Sequence, residues 1–228
     1  MGVNLTPIVV KKTISLDALQ GRVIAVDTNN GLYQFLALIR TPDGTSLKDK
    51  DGNITSHLAG LLFRSTHLIH KYGIRSVYIF DGPPTELKKK ELLKRSKVRE
   101  RAFEEWKRAL KEGDYAKAYS KAVVSSRLTS SMVEDAKRLL HLLGIPCIQA
   151  PGEAEAQAAH LTLKQDAWAT GSRDYDSILF GTSRLVRFIT ISGSEYLPSK
   201  GVSRPLKPEL IEVDHMLSKL SLTREQLI

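Results

Sequence analysis

Short apolar runs punctuate the chain at Arg22–Val26, Ser76–Phe80, Pro146–Gln149 and Ala167–Thr170. Each is brief and bounded by charged or turn-forming residues, the pattern of a buried strand. Between them the apolar positions change to a helical period. Asn30–Ile39 places Leu32, Phe35, Leu36 and Ile39 at i, i+3, i+4 and i+7, one face of a helix. Thr55–Tyr72 opens on Thr55 and Ser56, either able to cap a helix N-terminus, and continues amphipathically. Ser130–Leu143 repeats the pattern and runs into Gly144, a suitable C-terminal stop. Strands alternating with helices predict an α/β fold, a mostly parallel twisted sheet flanked by helices. Arg184–Ile191 and Glu195–Leu197, around Ser192-Gly193-Ser194, read as a later hairpin.

Two segments break the alternation. Thr41–Asn53 contains Asp43-Gly44 and Asp51-Gly52 and reads as a flexible polar loop. Pro83–Arg127 is a long, charged, helix-prone insertion in which Ala102, Trp106, Ala109 and Gly113 fall at helical spacing. No internal repeat is visible. The 228 residues suffice for a single domain, 1–228, carrying the insertion 83–127.

Charge narrows the partners. The net charge is +9, and the stretch Glu86–Arg127 holds 14 Lys and Arg against 7 Asp and Glu. A surplus gathered in one stretch points to nucleic acid or an acidic membrane surface. As a helix, Leu87–Arg101 sets Lys88, Arg95 and Arg99 on one face, at i, i+7 and i+11, where they could grip phosphates. A solvated, charge-laced helix is the plainer alternative. No apolar run reaches about 18 residues, so no membrane helix and no membrane partner is expected. The start has no basic region followed by a long apolar stretch, so no secretory leader is expected. Met1-Gly2-Val3-Asn4-Leu5-Thr6 fits a myristoylation pattern, but without a polybasic second signal, and one acyl chain anchors weakly. Cys147 is the only cysteine, which excludes an internal disulfide and fits a reducing, intracellular setting. Its neighbours Ile145 and Ile148 predict a small buried side chain. The six histidines form no zinc spacing with it.

The acids fall in a telling place. RVIAV ends in Asp27 and SVYIF ends in Asp81. Gln149-Ala150-Pro151-Gly152 leads into Glu153 and Glu155, and AWAT is followed by Gly171-Ser172-Arg173 and then Asp174 and Asp176. In an open parallel sheet the carboxyl ends of the strands share one edge, where ligands bind. Each acid alone could cap a helix or favour its dipole. Together they would repel, so a cation is called for. An all-oxygen donor set suits Mg²⁺, with Mn²⁺ as substitute. Residues i and i+2 share a direction only in extended chain, so Glu153 and Glu155 are expected to straddle a helix start, and Asp174 and Asp176 likewise. Two ions held by acids, beside a basic arm, suggest phosphodiester hydrolysis without a side-chain nucleophile.

MGVNLTPI, VDTNNGLYQFLALIR, TSHLAGL with Phe63-Arg64, VYIFDG, ELKKKELLKR, LLGIP, QAPGEAEAQAA and GSRDYDSILFG occur in this order along the whole chain. The ordered set resembles the flap endonucleases, archaeal members above all. That resemblance implies a PIN-like 5′-nuclease fold crossed by a helical arch. It implies cleavage of branched DNA at 5′ flaps with 5′–3′ exonuclease activity, in replication and repair. By matching position, Asp27, Asp81, Glu153, Glu155, Asp174 and Asp176 are the implied metal ligands for two ions. Lys88 and Arg95 are implied at the scissile phosphate, and Tyr33 as a nucleobase platform. Arg40 and Arg64 fall at matching positions near the implied DNA path, with Arg99 added only by its place on the helix face, and Gly2, freed by loss of Met1, is the implied buried N-terminus near the site.

Pro83 stands where the family usually has Lys, and Thr28 where Ala is common. The family continues beyond the position of Ile228 into a Gly-Thr-Asp-Tyr segment with another metal-site Asp, a helix–two-turn–helix duplex grip and a sliding-clamp peptide. A monomer is expected. A non-cleaving, branched-DNA-binding module of the same fold stays open as an alternative. An aspartyl phosphotransferase is disfavoured because Asn29, not an acid, lies two residues after Asp27. An RNA nuclease is disfavoured by the basic insertion.

Overall fold

The computed structural model describes residues 5–190, 194–197 and 202–228. The strands are β1 (Lys12–Thr13), β2 (Val23–Asp27), β3 (Arg75–Phe80), β4 (Cys147–Gln149), β5 (Ala169–Gly171), β6 (Arg184–Arg187), β7 (Ser194–Leu197), β8 (Val202–Pro205) and β9 (Glu209–Glu212). The helices are α1 (Thr28–Leu38), α2 (Ser56–Tyr72), α3 (Glu86–Lys111), α4 (Tyr115–Ser125), α5 (Ser130–Leu142), α6 (Ala154–Leu163), α7 (Asp176–Leu179), α8 (Val213–Leu220) and α9 (Arg224–Leu227). They gather into two compact units. One holds 1–28, 64–82 and 145–228; the other holds 29–63 and 83–144.

The first unit is built on a sheet of order β1-β9-β6-β5-β2-β3-β4. β2, β3, β4, β5 and β6 run parallel, β9 runs antiparallel beside β6, and β1 pairs antiparallel with β9 at the edge. This is the mostly parallel sheet expected from the alternation. The short apolar runs form strands because they are buried: Ile24, Ala25, Val26, Ile79 and Phe80 are all at most 1% exposed. Ala25, Ile79, Ala150, Ala154, Ala158 and Ala167 form one core cluster. Its small residues let α6 approach the sheet closely. A second cluster joins Tyr175, Ile178, Leu185, Ile211, Val213 and Met216.

The hairpin expected around Ser192-Gly193-Ser194 is not how the strands pair. β6 lies inside the sheet, parallel to β5 and antiparallel to β9, while β7 pairs with β8. Residues 191–193 lie outside the described residues. The reason is burial on both faces: Leu185 and Val186 are each 0% exposed, and a strand buried on both sides belongs in a sheet interior. Phe188 then turns the chain with φ 60. The expected burial of Cys147 is also corrected, since the thiol is exposed. β4 is an edge strand with β3 as its single neighbour, and alternation points only its Ile148 to the core cluster.

In the second unit, α3 runs 26 residues and packs on α4. Ala102 and Ala109 of α3, and Ala118 and Ala122 of α4, are buried, so the helical spacing seen in the insertion marks its packed face. The loop after α1 was expected to be flexible and polar, yet its polar groups are spent on turns. Asp43 accepts from Thr45 N at 3.1 Å and Thr45 Oγ1 at 2.8 Å, and Asp49 accepts from Asp51 N at 2.9 Å and Asn53 N at 2.8 Å. Arg40 donates to Gly44 O at 2.6 Å and to Ser126 Oγ at 2.8 Å, and Trp106 Nε1 to Asp43 O at 3.2 Å, tying the loop to the helical part of this unit. Among the described residues no helix is long and apolar enough to cross a membrane.

Candidate metal and nucleic-acid site

β5, β2, β3 and β4 are consecutive neighbours in the sheet, so their carboxyl ends form one continuous rim. Asp27 is the last residue of β2, and Asp81 follows β3 directly. Glu153 N-caps α6 with an extended φ of −77 and ψ of 135, and Glu155 lies in its first turn. The pair therefore straddles the helix start, as the i, i+2 spacing required. Asp176 opens α7 behind the N-cap Tyr175, with Asp174 just before it.

The rim is graded in depth. Asp27 and Glu155 form a floor, at 7% and 8% exposed. Glu153 and Asp176 are half-buried, and Asp81 and Asp174 stand exposed at the lip. Asp81 is oriented from behind, its Oδ1 accepting from Ala154 N at 2.8 Å. Ser172 Oγ donates to Glu155 Oε1 at 2.8 Å and accepts from Asp174 N at 3.2 Å. Burial raises the Glu155 pKa to about 8, with Asp27, Asp176 and Asp174 adding to the shift and Ser172 opposing it. The structure thus brings Asp27, Glu155, Asp174 and Asp176 into one electrostatic cluster. Asp81 joins it through the backbone of α6.

Among the described residues, no three His, Cys, Asp or Glu side chains already stand so as to hold a metal ion. The donor set still fits a hard divalent cation. It is all oxygen, and its buried member, Glu155, has its pKa raised first by burial and then by its neighbours' charge. Thr28 Oγ1 and Ser177 Oγ, adjoining Asp27 and Asp176, are buried without a partner.

The basic residues divide. Lys88 and Arg95 are exposed on α3, where Arg95 Nε makes a 3.3 Å bond to Glu91 one turn away. Arg99 is half-buried, with its guanidinium 5.0 Å from the ring centre of Tyr33, on α1 of the same unit. Arg40 is half-buried and engaged as described. Arg64 is 8% exposed and donates Nε to Ile189 O at 2.7 Å, and burial lowers its pKa. Gly2 lies outside the described residues. Sequence reasoning missed Ser172 and Gly82. Ser172 sits two residues before Asp174 in Gly171-Ser172-Arg173-Asp174, a spacing that could have flagged it. Gly82 follows Asp81, and a Cβ there would lie 2.4 Å from Ala150 O.

A parallel sheet with acids along its carboxyl rim is the frame of an α/β nuclease, and sequence likeness places the chain within that class. The sequence matches the XPG N-terminal domain over residues 1–102 and the XPG I-region over residues 144–228. Flap endonuclease 1 of Staphylothermus marinus is 52% identical over 100% of this chain and 66% of its own length. That of Pyrococcus furiosus is 50% identical over 100% of this chain and 67% of its own. The solved flap endonuclease-1 from Methanococcus jannaschii superposes with a TM-score of 0.73 at 38% identity, over 99% of this chain and 68% of that one. The chain belongs to the flap endonuclease family of structure-specific DNA nucleases. It spans about two thirds of the length of the curated relatives it matches.

Proposed function

We propose that this chain carries the reaction centre of a nuclease that hydrolyses phosphodiesters in branched DNA at 5′ flaps, with 5′–3′ exonuclease activity, in replication and repair. The observation that carries the reading is Glu155, buried among Asp27, Asp174 and Asp176 with its pKa raised to about 8. A carboxyl so placed is relieved by a cation, not by water. Asp27, Asp81, Glu153, Glu155, Asp174 and Asp176 would hold two Mg²⁺, with Mn²⁺ as substitute. Bound there, such ions supply a water of lowered pKa and charge compensation for the attacking and leaving oxygens.

The chain's own residues do the positioning. Ser172 and the amide of Ala154 hold Glu155 and Asp81 in orientation. Lys88 and Arg95, two helical turns apart on α3, contact the phosphate being cut and favour its developing charge. Tyr33 offers its ring face to a nucleobase, with Arg40, Arg64 and Arg99 near the DNA and Gly2 at the buried N-terminus. In the whole protein, family likeness adds a sliding clamp as partner and monomeric action inside the cell.

The test is a labelled 5′-flap duplex with Mg²⁺ or Mn²⁺. Cleavage at the flap base should require the ion, and Asp174→Ala should abolish it while leaving flap binding largely intact. Equal cleavage in EDTA, or by the Asp174→Ala chain, would overturn the reading.

A further inference from the structure

The opposite edge of the same sheet has a different chemistry. Across four neighbouring strands in the order β6, β5, β2, β3, the amino ends carry Arg184, Trp168, Arg22 and Arg75. Arg184 and Arg75 open their strands, and Trp168 and Arg22 immediately precede theirs. The guanidinium carbons of Arg22 and Arg184 each lie 5.2 Å from the Trp168 ring centre. They come from the strands on either side of β5. Arg75 donates to Gly21 O at 3.0 Å, next to Arg22. Arg22 and Arg75 are exposed and Trp168 is half-exposed.

Little else engages this row. Glu212 stands 3.7 Å from Arg184, closing one end, and Asp214 is taken by Arg224 at 2.9 Å. Among the described residues Arg22 makes no ion pair, and the Trp168 indole N–H makes no hydrogen bond. A cation–aromatic ladder of this kind holds its guanidinium groups in place while leaving their N–H groups free for anions.

We propose that this row is a second nucleic-acid contact, one that binds a single strand and takes no part in cutting. Neighbouring strands lie about 4.8 Å apart, so Arg184 and Arg75 bracket about 14 Å, room for a few nucleotides. Cations interleaved with an aromatic ring are what a single strand uses, the phosphates meeting the arginines and a base meeting the indole. The row lies across the sheet from the carboxylates, separated by the length of β2, about 16 Å. Its action therefore does not depend on metal binding there. An acidic polypeptide is the competing occupant. It would use the arginines but gain nothing comparable from the ring.

Trp106 and Trp168 are the only tryptophans, so Trp106→Phe leaves Trp168 as the sole indole reporter. The probe is a ten-residue oligothymidylate in EDTA, followed by Trp168 fluorescence and by anisotropy of the labelled strand. Saturable quenching of Trp168 is expected. Its logarithmic salt slope should be about −2, from about −0.7 for each of three arginine–phosphate contacts. Arg22→Ser with Arg75→Ser should weaken the quenching at least about tenfold and flatten the slope towards −0.7. The same quenching in the native chain, absent in Trp168→Phe, guards against damage from the Trp106 change. Strand binding by anisotropy with no change at Trp168, or no binding at all, overturns the proposal. So does equal quenching by an oligoglutamate peptide. Loss of metal-dependent cleavage with the quenching intact would count against the nuclease reading alone.

Discussion

Ser172 donates a 2.8 Å hydrogen bond to Glu155 Oε1, and this contact opposes the burial and the neighbouring charges that raise the Glu155 pKa to about 8. The hydroxyl is a neutral partner among carboxylates. It orients Glu155 without neutralising it, so the cluster stays short of positive charge.

The metal-free chain should therefore lose stability as pH rises. Unfolded, Glu155 ionises near 4.5; folded, it keeps its proton to about 8. Between those values the folded state binds more protons than the unfolded state, so the free energy of unfolding falls through that window. The ceiling is about 5 kcal/mol, at about 1.4 kcal/mol per pH unit, and coupling with Asp27 should leave about 1–3 kcal/mol visible. Thermal melts in EDTA from pH 5 to pH 8 should show the decline. Glu155→Gln should flatten it, and Mg²⁺ should raise Tm more at pH 8 than at pH 5. A Tm in EDTA that does not fall with pH would contradict the assignment.

Gly82 should resist any side chain. A Cβ there would meet Ala150 O at 2.4 Å and the carbonyl carbon of Pro151 at 2.8 Å, all backbone and unable to swing aside. Gly82 N also donates to Gly152 O at 2.5 Å. Gly82→Ala must push β3 away from the turn that leads into α6, disturbing the Asp81 contact to Ala154 N. A loss of about 1–3 kcal/mol is expected, as for other overpacked sites, together with weaker Mn²⁺ binding by calorimetry. Wild-type stability and Mn²⁺ affinity in this variant would show that the turn yields easily.

Arg64→Ala should act first on folding. Its Nε bond to Ile189 O at 2.7 Å is buried, and removing a buried partner strands a carbonyl at a cost of about 1–3 kcal/mol. Urea unfolding should show this with no DNA present. If stability is unchanged while flap binding drops, Arg64 serves DNA alone.

Much of this was legible in the residues. The apolar runs and their terminal acids located the parallel strands and the rim, because burial on both faces and a shared carboxyl edge leave a period and a position in the sequence. Arg184–Arg187 was misread because a short apolar run looks alike in a hairpin and in a sheet interior. Its partner Glu209–Glu212 lies too far along the chain for local pattern to reveal. Cys147 misled because its apolar neighbours say nothing about which strand is an edge. Its exposed thiol should react readily with a disulfide reagent in the folded chain. The depth of Arg64, four residues past Gly60 on an amphipathic helix, depended on Ile189, 125 positions away.

Arg95 is where chemistry and simple attraction can be told apart. Among the described residues its one ion pair is a 3.3 Å bond to Glu91 on its own helix, with both side chains partly in solvent. Such a pair contributes little and is easily exchanged for a phosphate. If Arg95 meets the phosphate mainly as charge develops, its loss should fall on the chemical step. Removing one such contact commonly costs on the order of 10²–10³ in rate. Single-turnover cleavage at saturating Arg95→Ala should slow by that order while flap affinity drops only a few-fold. Arg95→Lys should recover part of the rate, because it keeps the charge but not the planar fork. A saturated rate equal to wild type, with weaker binding alone, would assign Arg95 to general phosphate attraction along α3.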